Sequence, residues 1–269
     1  MSDPSLLVYE IGAILQVTLN RPDKLNALNR EIIEGLRDAV LLYAQRDDLR
    51  VFLIRSTGRY FSAGAELVSG ATTKPLNDHT AAMRQWLRTQ MGGGIQPLFE
   101  EIEALEKPFV VAHHATCVGG GLELSLSCDF RLASENAHYS LPEATLGAIP
   151  ASGGVSRLTR LVGPQWAKWM IMAEEQIDAQ RALAIGLVQQ VYPNKSFEAD
   201  VMAFCERLAA QPPEMMAMAK LTIDLAVDMT PGRARIIERL GQSVLGTGAE
   251  SATLLARMKD RLIHGKKKG

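Results

Sequence analysis

The sequence predicts an α/β fold in one large domain with a helical extension. Short β-rich runs alternate with amphipathic helical runs through the first half, and from about Ser156 the pattern is helical almost to the end. At 269 residues, 47% hydrophobic and 22% charged, the chain has the length and apolar content to bury a sizeable core.

Residues 6–20, LLVYEIGAILQVTLN, are two β-rich runs around Gly12, and NRPDKLNAL supplies turn formers after this hairpin. Asn29 then caps a helix that places Ile32, Leu36, Ala39, Val40 and Tyr43 on one face. LRVFLIRS is a short buried strand. The stretch LNDHTAAMRQWLRTQM is amphipathic and helical, broken by Gly92, Gly93 and Gly94, and IQPLFEEIEALEK is a further helix leading to the strand PFVVAHHATC. FRLAS and AHYSL are two more strands. SRLTRLVG, PQWAKWMIMAE, DAQRALAIGL, FEADVMAFCERLAAQ and PEMMAMAKLTIDLAV make the second half α-rich. No clean sequence repeat is present, although strand pairs alternating with helices hint at a structural one.

With 29 Lys plus Arg against 30 Asp plus Glu, the net charge of -1 offers no field to draw in nucleic acid or anionic lipid. The tail HGKKKG is a short basic cluster, either a solvated terminus or a phosphate contact. Cys117, Cys128 and Cys205 are odd in number and form no CxxC pair, so buried, reduced thiols are expected rather than disulfides. The N-terminal stretch lacks the pattern of a secretory signal, and nowhere do 18 apolar residues run together. The expectation is a cytoplasmic protein without membrane partners. No metal site is expected either: His113 and His114 lack ligand spacing, and adjacent strand residues point to opposite faces.

Chemistry concentrates in two small-residue turns. CVGGGLELSLSCD, residues 117–129, sets three glycines before a leucine-rich segment holding a single carboxylate, Glu123. By periodicity LELSLS alternates and favours a strand, whereas a helix starting at the glycines would bring bare backbone N–H groups and its positive end close to a ligand oxygen. GRYFSAGAEL, residues 58–67, is a second such turn. Two N–H groups converging from separate loops make an oxyanion hole. For Glu123 the alternative is a structural ion pair with Arg157 or Arg131.

FSAGAEL, CVGGGLELSLSCDFRLAS and YSLPEATLGAIPASGGVSRLTRLVG together resemble the signature segments of the crotonase, or enoyl-CoA hydratase/isomerase, superfamily, in matching order and separation. The resemblance runs from about Val8 through the C-terminal helices. It implies a spiral of β-β-α units with a C-terminal helical region that packs trimers, often paired as hexamers, here residues 1–198 and 199–269. It also implies that GGLELSLSC starts a helix, against the periodicity.

Carried over residue by residue, the resemblance assigns the oxyanion hole to the amides of Ala65 and Gly120, and the two glutamates of a hydratase to Glu123 and Glu143. Glu143 would deliver the proton at C2, and Glu123 would hold and activate water. Coenzyme A would arrive as part of an acyl-CoA thioester substrate, with no separate cofactor, its adenine against the backbone around Ala63, Gly64, Glu66 and Leu67. Lys24 matches a position near the phosphates, and is otherwise a solvated lysine in a turn. The chain departs from the family where Glu66 replaces Asp and Val68 replaces Lys, which weakens one expected phosphate contact. Met83, Trp86 and Leu87, within residues 68–98, are either core residues or a wall for a bulky acyl group.

The implied activity is hydration of a 2-enoyl-CoA thioester. Members that isomerise double bonds, or do other acyl-CoA chemistry, often lack one glutamate, and they stand as the rival within enzymes. Some relatives bind RNA, but the residue 29–48 helix mixes charge signs where a lysine comb would be needed.

Overall fold

The computed structural model describes residues 4–66 and 95–265. The helix expected over residues 76–91 lies outside the described residues. The described chain forms two compact units, one running to Leu105 and resuming over Phe109–Ala209, the other combining Glu106–Pro108 with Ala210 onward.

In the first unit, β1 (Leu6–Ile11) and β2 (Ile14–Leu19) pair antiparallel as the expected hairpin. Helix α1 (Arg30–Gln45) starts at Asn29, whose side chain accepts the Ile32 N–H at 2.9 Å and so satisfies one of the helix's unpaired donors. Its expected inner face is buried throughout. There follow β3 (Val51–Ser56), β4 (Tyr60–Ser62), α2 (Ile95–Ala104), β5 (Phe109–His113), β6 (Thr116–Val118), α3 (Gly120–Leu126), β7 (Phe130–Ser134) and β8 (His138–Ser140). Helix α4 (Gly154–Ile171), β9 (Ile177–Asp178), α5 (Ala179–Ala184), β10 (Gln190–Tyr192) and α6 (Phe197–Ala209) complete the unit.

Two sheets result, one ordered β1-β2-β3-β5-β7-β10 and the other β4-β6-β8-β9. The strand pairs β3–β4, β5–β6 and β7–β8 each place their first strand in the large sheet and their second in the small one. This is the structural repeat that the alternation of strand pairs and helices foreshadowed. The central strands are buried on both faces, as parallel strands must be when layers cover both sides. Side chains therefore sort by alternation: Phe52, Ile54 and Val111 join one core with Tyr43 and Phe99, and Val51, Leu53 and Val110 join another with Phe197, Val201 and Cys205 of α6.

Three sequence expectations need correction, and one holds. PFVVAHHATC is two strands, because the chain steps from one sheet to the other at His114 and Ala115. LELSLS is helical despite its alternation: every residue of α3 is buried, so its polar residues do not mark a solvent face. The run from SRLTRLVG onward is interrupted by β9 and β10, and α4 itself bends where Gly163 takes a non-helical φ of 78° before Pro164. The three cysteines are free and buried, as expected.

The second unit contains α7 (Pro213–Ala226), α8 (Pro231–Thr247) and α9 (Ala249–Gly265). Ile223 on α7, Leu240 and Val244 on α8, and Met258 on α9 remain exposed. Among the described residues no helix is long and apolar enough to cross a membrane.

Candidate active site

Strands β4, β6 and β8 lie side by side and parallel in the small sheet. Each ends in a segment carrying singled-out residues: Ala65 after β4, Gly120 and Glu123 after β6, Glu143 after β8. The repeat thus delivers residues far apart in sequence to neighbouring carboxyl ends of one sheet, where open α/β sheets place their ligands.

The Ala65 amide is aimed by its neighbours. Leu28 donates to the Gly64 carbonyl at 2.8 Å and accepts from the Glu66 N–H at 3.0 Å, a parallel bridge that turns the N–H of Ala65 to the opposite side. Gly120 opens α3, so its N–H belongs to the helix's unpaired first turn, and Gly119 before it provides no side-chain cap. A Cβ on Gly120 would stand 3.0 Å from the Ala65 nitrogen, which makes the two amides neighbours and leaves no room for a side chain. Gly119, at φ 51°, is confined in the same way: a Cβ there would lie 2.9 Å from Glu143 Oε1. No backbone carbonyl among the described residues accepts from either amide.

Glu123 is 5% exposed. Its Oε1 accepts the N–H groups of Ser152 at 2.7 Å and Gly154 at 3.1 Å, while no described residue donates to Oε2. Burial pushes this carboxyl above the ordinary range, and the two N–H donors and the Arg157 charge pull it partly back. The ion-pair alternative is not what forms. Arg157 pairs with Glu103 at 2.7 Å, and Arg131 donates to the carbonyls of Leu187 at 2.8 Å and Cys128 at 2.5 Å.

Glu143 sits in a short 3-10 turn, Pro142–Leu146, and its Oε2 is buried without a hydrogen-bond partner among the described residues. Burial raises its pKa to about 7, a backbone N–H opposes this, and the charges of Glu123 and Glu174 add to the rise. Repulsion between the two carboxyls falls on Glu143 because the charge of Glu123 is already held by two peptide N–H groups. Glu174 reaches the same turn, accepting the N–H of Thr145 at 2.5 Å and its hydroxyl at 2.7 Å.

The remaining residues are dispersed. Lys24 is exposed on the 3-10 turn Pro22–Lys24. Ala63 donates to the Leu25 carbonyl at 2.9 Å, the Gly64 N–H donates to Ser62 Oγ at 3.2 Å, and the Glu66 carboxylate pairs with Arg21 at 2.9 Å. Leu67, Met83, Trp86 and Leu87 lie outside the described residues. His113 and His114 diverge, the first buried between Phe61 and Tyr139, the second meeting the Gly58 carbonyl at 2.7 Å.

Two supports escaped the sequence reading. Asn26, fully buried at φ 52°, accepts the Arg21 N–H at 2.8 Å and donates to the carbonyls of Thr57 at 2.7 Å and Tyr60 at 2.9 Å. Ser62 in turn donates to the Asn26 carbonyl at 2.8 Å, so this asparagine ties the 21–28 turn to the strand that leads to Ala65. The other support is the Ser152–Gly154 backbone. PASGG, with its small residues closely following the PE turn, was the available sign that main chain approaches a buried group there.

A family model described as enoyl-CoA hydratase/isomerase matches residues 10–246. The crotonyl-CoA hydratase of Syntrophomonas wolfei is 34% identical over 88% of this chain and 88% of its own. The 2,3-dehydroadipyl-CoA hydratase of Escherichia coli is 32% identical over 95% of this chain and 92% of its own. The crystal structure of an enoyl-CoA hydratase from Bacillus anthracis superposes with a TM-score of 0.85 at 29% identity, covering 96% of each chain. With the spiral of strand pairs and the paired turns around Gly119, these similarities establish that the chain belongs to the enoyl-CoA hydratase/isomerase family, as a hydratase-like member of the crotonase superfamily.

Proposed function

We propose that this chain is an enoyl-CoA hydratase that adds water across the 2,3 double bond of a 2-enoyl-CoA thioester. The observation that carries the reading is that the half-buried Glu143 carboxyl stands at Gly119, beside the neighbouring Ala65 and Gly120 amides, which no backbone carbonyl among the described residues accepts, and close enough to the buried Glu123 carboxyl to feel its charge. In this reading Glu123 takes a proton from water as the water oxygen bonds to C3, and the π electrons move toward the thioester oxygen. The amides of Ala65 and Gly120 stabilise the charge gathering there, and Glu143 gives its proton to C2 as the enolate collapses. Glu143 then holds the charge and Glu123 the proton, and exchange with solvent resets the pair.

Burial raises both carboxyls, and the differing hydrogen bonding around them supports this division. Glu123 accepts hydrogen bonds that favour its anion, whereas Glu143, drawn up to about 7, retains a protonated fraction near neutrality. The CoA portion is proposed to run along the backbone of Ala63, Gly64, Glu66 and Leu67 and past Lys24. With Glu66 held by Arg21, its backbone rather than its carboxylate would meet the nucleotide. No separate cofactor enters this scheme. The exposed apolar residues of α7, α8 and α9 support assembly as a trimer or hexamer, read by analytical ultracentrifugation, and the proposed setting is the cytoplasm.

The test is an assay with crotonyl-CoA and with longer and aryl 2-enoyl-CoAs, following loss of the conjugated thioester absorbance. Turnover that Glu123→Gln cripples is expected. No turnover of any of them by the wild type overturns the reading.

A further inference from the structure

Glu174 follows α4 at φ 54°, one of three non-glycine residues in the left-handed region among the described residues. The other two, Leu25 and Asn26, shape the turn that Asn26 knits together. Glu174 has a different neighbourhood. Both of its carboxylate oxygens go to one residue, Oε1 accepting the Thr145 N–H at 2.5 Å and Oε2 accepting the Thr145 hydroxyl at 2.7 Å. A side chain at such a backbone angle costs on the order of 1 kcal/mol against glycine. A two-point grip that fixes an otherwise exposed 3-10 turn is the one contribution its surroundings offer in return.

Thr145 stands two residues beyond Glu143 in the turn Pro142–Leu146. Within that turn Glu143 supplies the only ionisable side chain, and its Oε2 is buried without a partner among the described residues, so its orientation depends on how the turn itself is held. We propose that Glu174 is a positioning residue for Glu143, fixing through Thr145 the turn that carries it. The inference rests on the reading of Glu143 as the proton donor of a hydratase.

Charge acts in the same direction. The groups bearing on Glu143 are Glu123 from α3 and Glu174 from the loop after α4, both anionic when ionised. From α4, the Arg157 guanidinium acts on Glu123 and is paired with Glu103. Glu174 therefore helps the neighbouring acid keep its proton while leaving Glu123 to its own hydrogen bonds.

Two substitutions separate grip from charge. Glu174→Gln keeps an acceptor for the Thr145 N–H and removes the charge. Its kcat at pH 8 is expected to fall about threefold with KM held, because the alkaline limb moves to lower pH. Glu174→Gly removes the grip but relieves the left-handed backbone, so its Tm is expected to stay within about 2 °C while kcat falls about tenfold. A purely structural role would reverse that pattern, lowering Tm and sparing kcat, and would overturn the inference.

The independent readout is carboxyl NMR of protein labelled at the glutamate side chains, with the Glu143 signal assigned by its loss in Glu143→Gln. In Glu174→Gln the Glu143 midpoint is expected to fall. A midpoint unmoved in both Glu174→Gln and Glu174→Gly overturns the inference even if hydration is intact. Absence of any enoyl-CoA turnover in the wild type would instead remove the hydratase reading, and the titration alone would then decide whether Glu174 acts on Glu143.

Discussion

Glu123 and Arg131 lie eight residues apart, are 5% and 4% exposed, and are held by backbone rather than by a counter-ion. Their surroundings differ in one respect. The guanidinium of Arg131 donates to three carbonyls, from Nε to Leu187 at 2.8 Å and from Nη1 to Cys128 at 2.5 Å and Ser125 at 3.5 Å. Glu123 is gripped through Oε1 alone, and no described residue donates to its other oxygen. A buried charge that serves the fold is met by backbone groups from several segments, whereas one poised for chemistry is anchored through one atom and left available at the other.

The strongest way to break this comparison is to exchange the two losses. Glu123→Gln keeps an acceptor for the Ser152 and Gly154 N–H groups, so kcat for crotonyl-CoA is expected to fall roughly 10²- to 10⁴-fold with Tm unchanged or raised. Steady-state rates and calorimetry on the same sample check it, and a large Tm loss with retained kcat would place Glu123 beside Arg131 as a structural charge. Arg131→Met should do the opposite. Stripping the guanidinium from three carbonyls is expected to cost about 3 kcal/mol in urea unfolding, while kcat of the folded fraction stays within about twofold.

Sharper still is pH. Glu143 must carry its proton to donate it, so kcat/KM is expected to fall as pH rises through about 7, and to fall again in acid as Glu123 is protonated. The linkage has a sign that stability measurements can read. A carboxyl whose folded pKa lies above its unfolded value of 4.5 contributes stability that is full below 4.5 and lost as pH rises through about 7. Glu143→Gln lacks that loss, so its Tm relative to wild type should improve between pH 5 and pH 8; a flat difference would mean that Glu143 is not desolvated. The smallest effect belongs to a position remote from both charges. Asn29→Ala removes only a helix cap, and about 1 kcal/mol of stability with unchanged kcat is expected.

Much of this was legible in the chain. The Asn29 cap, the face from Ile32 to Tyr43 and the hairpin around Gly12 follow from patterns a few residues long, and the structure repeats them. LELSLS misled because periodicity assumes a wet side, and α3 has none. PFVVAHHATC misled because nothing in a continuous β-rich run says that the chain changes sheets at His114. Asn26 and Glu174 were invisible for a related reason: their partners, Thr57 and Tyr60 in one case and Thr145 in the other, are fixed by backbone geometry at a distance.

By itself the sequence determined which groups were available: two carboxyls, two glycine-edged turns and the helices and strands to carry them. Only the tertiary structure decided that they meet, because adjacency in the small sheet depends on three strand pairs each crossing from one sheet to the next. It also decided their ionisation. A carboxyl's proton affinity depends on how much water, charge and N–H surround it, and those neighbours come from segments that the chain's order keeps far apart.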